Sequence, residues 1–338
     1  MPTALLTGAT GFFGHHVAAA LLAEGWTVRA LARDRVRRRT PGPWNPAVER
    51  IPGDLSDATD LAAAAAGCDA VVHVAGVVKA RTLADYREVN AASTERLVRA
   101  AQQSAPGGMF VLVSSQAAAG PARAGQPVSE QDPPRPVSWY GISKREGELA
   151  VQRGWRGPWI VLRPGVLFGP GDRGLLTYFE MAAAGWVPVP ARRSRIQLGA
   201  AWQAATAVAR AASRPDLAGR AGFLCDPDPV RIGDLAAQIA RLPSRPARLF
   251  AVPDALVRAA ALLETAREKV TGRSRPFNAD KAREMLAGDW LCDPAPMHRA
   301  LALPPPEPLA QGLRATWDWY VQAGWVRDRP ARRPPRGG

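Results

Sequence analysis

The first half of the chain alternates short apolar runs with helical segments. The apolar runs are rich in Val, Leu, Ile and Ala, whereas the segments between them are Ala-rich or amphipathic. Near-continuous apolar strands that alternate with helices are typical of a parallel sheet covered on both faces. Six strands are predicted, in the segments TALLTG (3–8), TVRALA (27–32), VERIPG (48–53), DAVVHVAG (69–76), GMFVLVSS (108–115) and PWIVLRPG (158–165).

Beyond about residue 171 the pattern becomes helical and is interrupted by prolines. Because crossovers between parallel strands are right-handed, the first half predicts an α/β fold with a Rossmann-type doubly wound parallel sheet over residues 1–170. We predict a smaller, mostly helical C-terminal lobe over 171–325 that mainly binds substrate, with the part near 195–213 returning to the Rossmann domain. Residues 326–338 form an Arg- and Pro-rich tail that is predicted to be disordered.

The composition is that of a folded globular protein with a substantial core. Of the 338 residues, 47% are hydrophobic and 22% are charged. The start of the chain lacks the basic and apolar segments of a secretory signal. No run of about 18 apolar residues satisfies the requirement for a membrane span. We therefore expect a soluble, cytoplasmic protein with no membrane partner.

The formal net charge of +14 calls for a comparison with nucleic-acid-binding proteins. Only four of the 44 basic residues are lysines, and the arginines are spread along the whole chain. No aromatic-rich basic groove and no nucleic-acid-binding motif accompany the charge. We interpret the arginine excess as compositional drift, expect no nucleic-acid partner, and expect the charge to favour anionic small molecules.

The three cysteines, Cys68, Cys225 and Cys292, are far apart in sequence and form no CxxC pair. The four histidines do not cluster with them. Neither a metal site nor a disulfide framework is therefore predicted. The cysteines are expected to be thiols in a reducing compartment.

A glycine-rich turn follows the first predicted strand. Gly8, Gly11 and Gly14 stand at three-residue intervals between that strand and a helix, in the segment LLTGATGFFGHHV. Glycine lets the backbone approach a diphosphate closely, and the following helix presents its N-terminal amides to the phosphates. The position of the turn predicts a dinucleotide-binding loop, which Thr10, Phe12 and Phe13 complete.

The end of the second strand predicts which dinucleotide is bound. Folds that take NAD often place a carboxylate there, for the ribose 2′-hydroxyl. Here the strand ends at Ala32 and Arg33, Asp34 stands one step later, and a basic loop with Arg35 and Arg37 to Arg39 follows. Because a guanidinium suits a 2′-phosphate, NADP(H) is the preferred cofactor and NAD(H) is the alternative.

Tyr140 and Lys144 stand at i and i+4 in the segment SWYGISKREGE (138–148). A tyrosine has a pKa near ~10, and a cation one helical turn away lowers it by stabilising the phenolate. The same ammonium can hold the nicotinamide ribose. Ser115, at the end of the fifth strand, supplies the third member of the set, with Ser114 as the neighbouring candidate. These three residues predict acid–base chemistry beside a hydride carrier.

The chain resembles the extended short-chain dehydrogenases/reductases, the NAD(P)-dependent epimerase/dehydratase group. The second-strand register is most similar to the dihydroflavonol-reductase and 3β-hydroxysteroid-dehydrogenase branch. The resemblance spans about residues 3 to 325. Its motifs occur in the order TGATGFFG, GDLSD, VHVAG, VN (89–90), VLVSSQAAAG, YGISK and LRPGVLFGPGD.

The resemblance implies roles for further residues. Asp54 and Leu55 would hold the adenine, with the Asp54 carboxylate accepting from its amino group. Ala75 and Gly76 would let the cofactor pass over the fourth strand, and Pro164 to Val166 would flank the nicotinamide amide. Asn90 would pack helices near the site. The family also implies a homodimer through the helix that bears Tyr140.

Two departures from the family bear on the substrate. Val166 stands where nucleotide-sugar epimerases commonly carry an Asn, and the segment 195–212 lacks the acidic residue that is usual there. We therefore favour a dehydrogenase or reductase acting on a ketone, aldehyde or secondary alcohol. A nucleotide-sugar epimerase/dehydratase and a non-catalytic NADPH-binding subunit are the alternatives. The lobe tryptophans are predicted mainly as core side chains; they are Trp186, Trp202, Trp290, Trp317 and Trp319.

Overall fold

The structure of the chain, a computed structural model, describes residues 1–33, 44–190, 194–271 and 279–328. The predicted basic loop with Arg35 and Arg37 to Arg39 lies outside the described residues, as does the predicted tail from residue 329 onward. Within the described ranges, no helix is both long enough and apolar enough to cross a bilayer.

The main sheet has seven strands, all parallel. They are β1 (Thr3–Thr7), β2 (Thr27–Ala32), β3 (Val48–Pro52), β4 (Ala70–His73), β5 (Met109–Val113), β6 (Trp159–Pro164) and β11 (Arg220–Leu224). Their order across the sheet is β11-β6-β5-β4-β1-β2-β3. The order reverses between β1 and β4, where doubly wound sheets bind ligands at their carboxyl ends. The predicted Rossmann-type sheet is confirmed, and β11 is an additional strand that the sequence analysis missed.

Helices cover both faces of the sheet. One core cluster lies under α1 (Phe12–Ala23) and α8 (Ala201–Ala211), which pack against each other. The other lies under α2 (Ala58–Ala65), α4 (Ser93–Ser104) and α6 (Trp139–Gly154). The short helices α3 (Leu83–Arg87) and α5 (Gln116–Ala119) and a π-helical turn, Glu88–Ala92, complete this layer. The domain boundaries themselves stay a prediction.

The C-terminal lobe has its own apolar cluster around Phe179, Trp317 and Tyr320. Its helices are α7 (Leu176–Ala184), α9 (Ile232–Ala240), α10 (Asp254–Thr271), α11 (Ala279–Met285) and α13 (Leu309–Gln322). The helix α12 (Ala295–Ala300) and a 3₁₀ turn at Pro215–Leu217 pack on the core of the main sheet instead, through Met297 and Leu217. Short strands pair as β7 (Val166–Phe168) with β10 (Leu198–Ala200), β9 (Arg195–Ile196) with β12 (Val230–Arg231), and β8 (Trp186–Pro190) with β13 (Arg248–Val252). The pairs β7–β10 and β9–β12 were not predicted, because two- and three-residue strands carry no readable alternation. The five-residue pair β8–β13 was missed as well.

A buried imidazole links the end of β1 to α4. The Nδ1 atom of His73 lies 2.6 Å from Thr7 Oγ1, and its Nε2 atom lies 3.0 Å from Thr94 Oγ1. Burial lowers the pKa of His73 to about 3, and the positive charge of Lys144 adds to this effect. His73 is therefore neutral in the folded protein and connects β1, β4 and α4 through two hydroxyl groups.

Because His73 is neutral in the folded protein, the free energy of unfolding depends on pH. The unfolded chain takes up this proton near pH 6.5 and the folded chain only near pH 3, so stability present above pH 6.5 is lost as the pH falls. The free energy of unfolding is expected to fall by about 1.4 kcal/mol per pH unit in this window. Urea unfolding at a series of pH values gives the slope of the free energy of unfolding against pH. In His73→Asn this slope should correspond to about one proton fewer taken up on unfolding than in the wild type. Equal slopes in the two proteins would contradict this assignment.

Candidate active site

The glycine-rich turn after β1 is built by close backbone contacts. Gly8 has φ +79°, a conformation that favours glycine, and its carbonyl accepts from the Gly11 amide at 2.9 Å. Gly11 begins α1 as its N-cap residue. A Cβ atom on Gly14 would lie 2.0 Å from the Gly8 carbonyl oxygen, so α1 crosses the turn at a distance that only glycine permits. Thr10, Phe12 and Phe13 are partly exposed beside this turn.

The ends of β1 and β4 meet at the point where the strand order reverses. A Cβ atom on Gly8 would lie 2.6 Å from the Ala75 amide nitrogen. A Cβ atom on Gly76 would lie 2.9 Å from Asn90 Oδ1 and 3.7 Å from Lys144 Nζ. The Asn90 amide holds this strand end from behind, because it accepts from the Val77 amide and donates to the Val77 carbonyl. Close packing at Gly8 and Gly76 therefore brings the glycine turn, the end of β4 and Lys144 together at this edge of the sheet.

The two residues predicted for the adenosine end lie side by side. The Arg33 guanidinium, 79% exposed, lies 3.9 Å from the Asp54 carboxylate. The Ser56 amide donates to Asp54 at 2.9 Å and lowers the pKa of that carboxyl. Leu55 packs against the α2–α4 core. Arg33 and Asp54 thus form a charged, solvent-open rim at the carboxyl ends of β2 and β3.

The two serines after β5 point to different partners. Ser114 is buried and donates to Glu148 Oε1 at 2.6 Å. Ser115 is partly exposed, begins α5 as its N-cap, and hydrogen-bonds the Tyr140 side chain. Of the two candidates, Ser115 therefore faces the crevice with Tyr140.

Tyr140 lies in the first turn of α6. Ser138 begins this helix by accepting from the Gly141 amide, which directs the following residues along the carboxyl edge of the sheet. Burial raises the pKa of Tyr140 to about 12, while its hydrogen bond with Ser115 opposes the rise and the charge of Glu284 adds to it. The sequence-based expectation that Lys144 lowers this pKa is wrong for the described arrangement, because burial dominates.

Lys144 is buried one turn further along α6. Its ammonium donates to the Val113 carbonyl at 2.7 Å, at the end of β5. Burial lowers the pKa of Lys144 to about 8, and the negative charge of Glu148 opposes this fall. The ammonium is thus fixed between the sheet and the crevice, beside the bare backbone of Gly76.

A fully buried carboxylate, Glu148, lies behind the candidate catalytic residues. Arg163 of β6 donates to both of its oxygens, at 2.9 and 2.8 Å, and Arg145 donates to Oε2 at 2.8 Å. With the Ser114 bond, these contacts join the ends of β5 and β6 to α6. The ion pairs outweigh desolvation and hold the pKa of Glu148 below its ordinary value. Sequence analysis missed this residue, although it stands in the same quoted segment as Tyr140.

The residues predicted for the nicotinamide end lie at the end of β6. Pro164 closes that strand, and the Val166 amide donates to the Gln197 carbonyl while its side chain stays exposed. A Cβ atom on Gly165 would lie 2.7 Å from the Gln197 carbonyl oxygen. The adjacent Gln116 is buried, and its Nε2 atom has no hydrogen-bond partner among the described residues.

Carboxylates from the C-terminal lobe hold the beginning of α6, a contact that the sequence did not signal. Asp280 accepts from the Trp139 amide at 3.0 Å, and Glu284 accepts from the Ser138 hydroxyl at 2.8 Å. The Tyr86 ring, also missed, lies 6.1 Å from the Tyr140 ring. The lobe and α3 therefore form two walls around Tyr140.

The glycines of α6 are used within the chain. A Cβ atom on Gly141 would lie 2.3 Å from the Ala117 carbonyl oxygen, and one on Gly147 would lie 2.6 Å from the Asn90 carbonyl oxygen. Both allow α6 to approach its own neighbours. The homodimer through this helix stays a prediction.

Two cysteines that are 67 positions apart come together near the site. The sulfur atoms of Cys225 and Cys292 lie 3.2 Å apart as buried free thiols, which their sequence spacing did not predict. Across the described ranges, no group of three or more His, Cys, Asp and Glu side chains forms a candidate metal site.

The crevice fits a dinucleotide. The exposed Gly11 at the start of α1 has no side chain that would cover the helix amides to which a diphosphate binds. Arg33 with Asp54 forms a polar rim beyond it. At the other end, Gln116 Nε2, which has no partner in the part of the chain that the structure describes, is a donor that a polar group in the crevice would satisfy. A family model described as the NAD dependent epimerase/dehydratase family matches residues 4–215.

The chain belongs to the NAD-dependent epimerase/dehydratase family. The family resemblance predicted from the motifs is confirmed, and so is the fold. Members of this family use NAD(P), and the chain is an NAD(P)-dependent enzyme of the extended short-chain dehydrogenase/reductase type.

Relatives within the family carry out different reactions. A ceramide reductase of Caulobacter vibrioides is 35% identical over 95% of both chains. A 3-beta-hydroxysteroid dehydrogenase of Mycolicibacterium neoaurum is 30% identical over 57% of this chain and 56% of that protein. The solved structure of MoeE5 in complex with UDP-glucuronic acid and NAD has a TM-score of 0.75 and 20% identity, and covers 96% of this chain and 100% of that one. The MoeE5 likeness shows the shared fold.

Proposed function

We propose that the chain is an NADP(H)-dependent reductase or dehydrogenase that transfers a hydride between the nicotinamide and a ketone, aldehyde or secondary alcohol. The observation that carries this proposal is the meeting of Ser115, Tyr140 and Lys144 at the carboxyl edge of the sheet, next to the glycine turn. A subunit that only binds NADPH has no need of this set.

The nicotinamide, when bound, supplies the hydride for reduction. Tyr140 donates its phenolic proton to the carbonyl oxygen, and the Ser115 hydroxyl, bonded to Tyr140, holds the same oxygen in place. Because its pKa is raised to about 12, Tyr140 stays protonated through the neutral range. The protonated phenol is the form that reduction uses, and oxidation would use the phenolate.

Lys144 acts as the positioning cation of the crevice. Its pKa of about 8 leaves the ammonium mostly protonated at neutral pH, and its bond to the Val113 carbonyl fixes its place. From there it would bind the ribose hydroxyls next to the nicotinamide. Pro164, Val166 and Gln116 would contact the nicotinamide end, and Asp54 the adenine.

An apolar, lipid-like carbonyl compound is the substrate class that the features favour. The relative with 35% identity over 95% of both chains is named a ceramide reductase, so we infer a ceramide-like lipid. At the site, the apolar Val166 stands at an exposed position where a nucleotide-sugar epimerase commonly offers an amide. That side chain provides an apolar contact and no hydrogen bond.

Two measurements test the proposed reaction. First, mass spectrometry identifies the cofactor that co-purifies with the chain. Second, NADPH consumption is followed with ceramide-like ketones, short-chain ketones and steroid ketones, in parallel with UDP-sugar isomerisation. Net NADPH consumption with a lipid ketone is the expected result. UDP-sugar isomerisation without net consumption would overturn the proposal in favour of an epimerase.

Arg33 is expected to select NADPH over NADH. Replacing it by Asp in Arg33→Asp removes a guanidinium from the open rim and places a carboxylate where a 2′-phosphate would bind. The Kd for NADPH should rise by roughly 10- to 100-fold, and that for NADH should change far less. Arg33→Gln removes the positive charge without adding a negative one, so its Kd for NADPH should lie between those of the wild type and Arg33→Asp. Fluorescence titration with both cofactors measures this, and an equal loss for NADH and NADPH would refute the NADP assignment.

A further inference from the structure

The helix α10 turns an apolar face to solvent. Three of its leucines are more than half exposed: Leu256 at 60%, Leu262 at 64% and Leu263 at 54%. The exposed alanines of the helix fall on the same turns and are Ala255, Ala259, Ala260 and Ala266. An amphipathic helix normally buries its leucines against the core, so the outward placement of these side chains requires an explanation.

The acidic residues of α10 are turned toward the protein instead. Glu268 is buried, Asp254 is partly buried, and Glu264 is partly buried in an ion pair with Arg267. The exposed charged side chains among the described residues of this helix are Arg258 and Arg267. The outer surface of α10 therefore combines leucine, alanine and arginine, which is the composition of a helix that lies in a membrane interface.

The strand before α10 extends this character. β13 is joined to α10 by Pro253 alone, and its Leu249 and Phe250 are exposed. Trp186 of β8, predicted as a core residue, is 44% exposed and lies 5.7 Å from the Phe250 ring. Arg245 and Arg248 are exposed in the same segment. Aromatic and arginine side chains together are typical of the membrane–water boundary.

The inner side of α10 leads to the candidate active site. The Thr265 hydroxyl accepts from the Ala279 amide at 2.9 Å, so α10 packs on the first residue of α11. In turn, α11 holds the beginning of α6 through Asp280 and Glu284, next to Tyr140. The helix α11 thus connects α10, which carries the exposed leucines, to the beginning of α6, which carries Tyr140.

We propose that α10 and β13 form a docking surface for an anionic phospholipid bilayer. The leucines enter the interface between headgroups and acyl chains, and the arginines bind the lipid phosphates. The net charge of +14 attracts the chain to such a surface. The sequence analysis expected no membrane partner, and the test below decides between that expectation and this peripheral contact. One part of this inference rests on the proposed function: if the substrate is a lipid, a docked bilayer would supply it close to Tyr140.

Vesicle co-sedimentation of the full-length chain tests the surface directly. The vesicles are phosphatidylcholine with and without phosphatidylglycerol, at low and high salt. The variant is the triple substitution Leu256→Glu, Leu262→Glu and Leu263→Glu, which keeps every basic residue. We expect the wild-type chain to bind the anionic vesicles and the triple variant to lose roughly tenfold or more in partitioning. Val321→Glu, a control on the exposed side of α13, should bind as the wild type does.

Two further measurements keep the outcomes distinct. Retained NADPH binding shows that the triple variant is folded, and sedimentation velocity reports its oligomeric state. Wild-type chain that stays free of anionic vesicles at low salt would overturn the proposal, as would a triple variant that binds like wild type. A wild-type dimer that the triple variant dissociates, without any vesicle binding, would assign the face to a second copy. Because binding is measured without turnover, failure of the proposed reaction is seen separately.

Discussion

Tyr140→Phe is expected to lower kcat for carbonyl reduction by about 10²- to 10⁴-fold. The substitution removes the hydroxyl that we propose as the proton donor and leaves the ring in place beside Tyr86. Ser115 keeps its position as the N-cap of α5 but has no acidic proton of comparable strength to give. Because the hydroxyl acts on the substrate oxygen, the Kd for NADPH should stay close to that of the wild type. Single-turnover NADPH oxidation and fluorescence titration measure the two quantities.

Tyr86→Phe is the matched control for this substitution. Tyr86 is a tyrosine in the same pocket, and its hydroxyl donates to the Val78 carbonyl. We expect only a small change in kcat for this variant. A kcat near wild type in Tyr140→Phe, or an equal loss in the two variants, would contradict the role of Tyr140 as the proton donor.

Glu148→Ala is expected to lower the free energy of unfolding by about 3–5 kcal/mol. Glu148 is fully buried and accepts from Arg163, Arg145 and Ser114. Its removal leaves the Arg163 guanidinium, itself 2% exposed, without a counter-ion in the interior. An unpaired buried charge costs far more than the lost contacts themselves. Urea denaturation monitored by circular dichroism measures the change.

Two controls separate this buried pair from ordinary ion pairs. Glu95→Ala breaks the exposed i, i+4 pair with Arg99 and should cost at most about 1 kcal/mol. The double variant Glu148→Leu with Arg163→Met removes both charges and should recover a large part of the stability. If Glu148→Ala were no more costly than Glu95→Ala, the buried cluster would have no structural role.

Periodicity and motif order were sufficient to predict the sheet and the glycine turn. Both features depend on residues that are close in sequence. Apolar runs form the strands, and the three glycines all lie within residues 8–14. By contrast, the segment RAGFL (220–224) of β11 mixes a charged residue and a glycine with apolar residues, and it lies beyond residue 171, where the pattern indicated helices. Its place in the sheet is set by pairing with β6, which is a tertiary contact.

The candidate site shows the same division. The Tyr140–Lys144 spacing is local, so sequence alone identified it. The partners that set their environment are distant: Asp280 is 141 residues from Trp139, and Cys292 is 67 residues from Cys225. The direction of the Tyr140 pKa was also missed, because burial depends on how α3, α5 and the lobe close around the ring. Sequence reasoning therefore proposed a set of reacting groups but did not predict their surroundings.

The carboxylates that hold the beginning of α6 couple the position of the lobe to the position of Tyr140. Asp280 and Glu284 belong to the lobe, yet they bond the two residues that precede Tyr140. Any ligand or lipid that shifts α11 therefore changes the free energy of the Tyr140 side-chain position. By the same coupling, whatever holds Tyr140 in its position stabilises the matching position of the lobe to the same extent. Substitutions in α11 should thus alter turnover and lobe binding together, although neither carboxylate takes part in the proposed proton transfer.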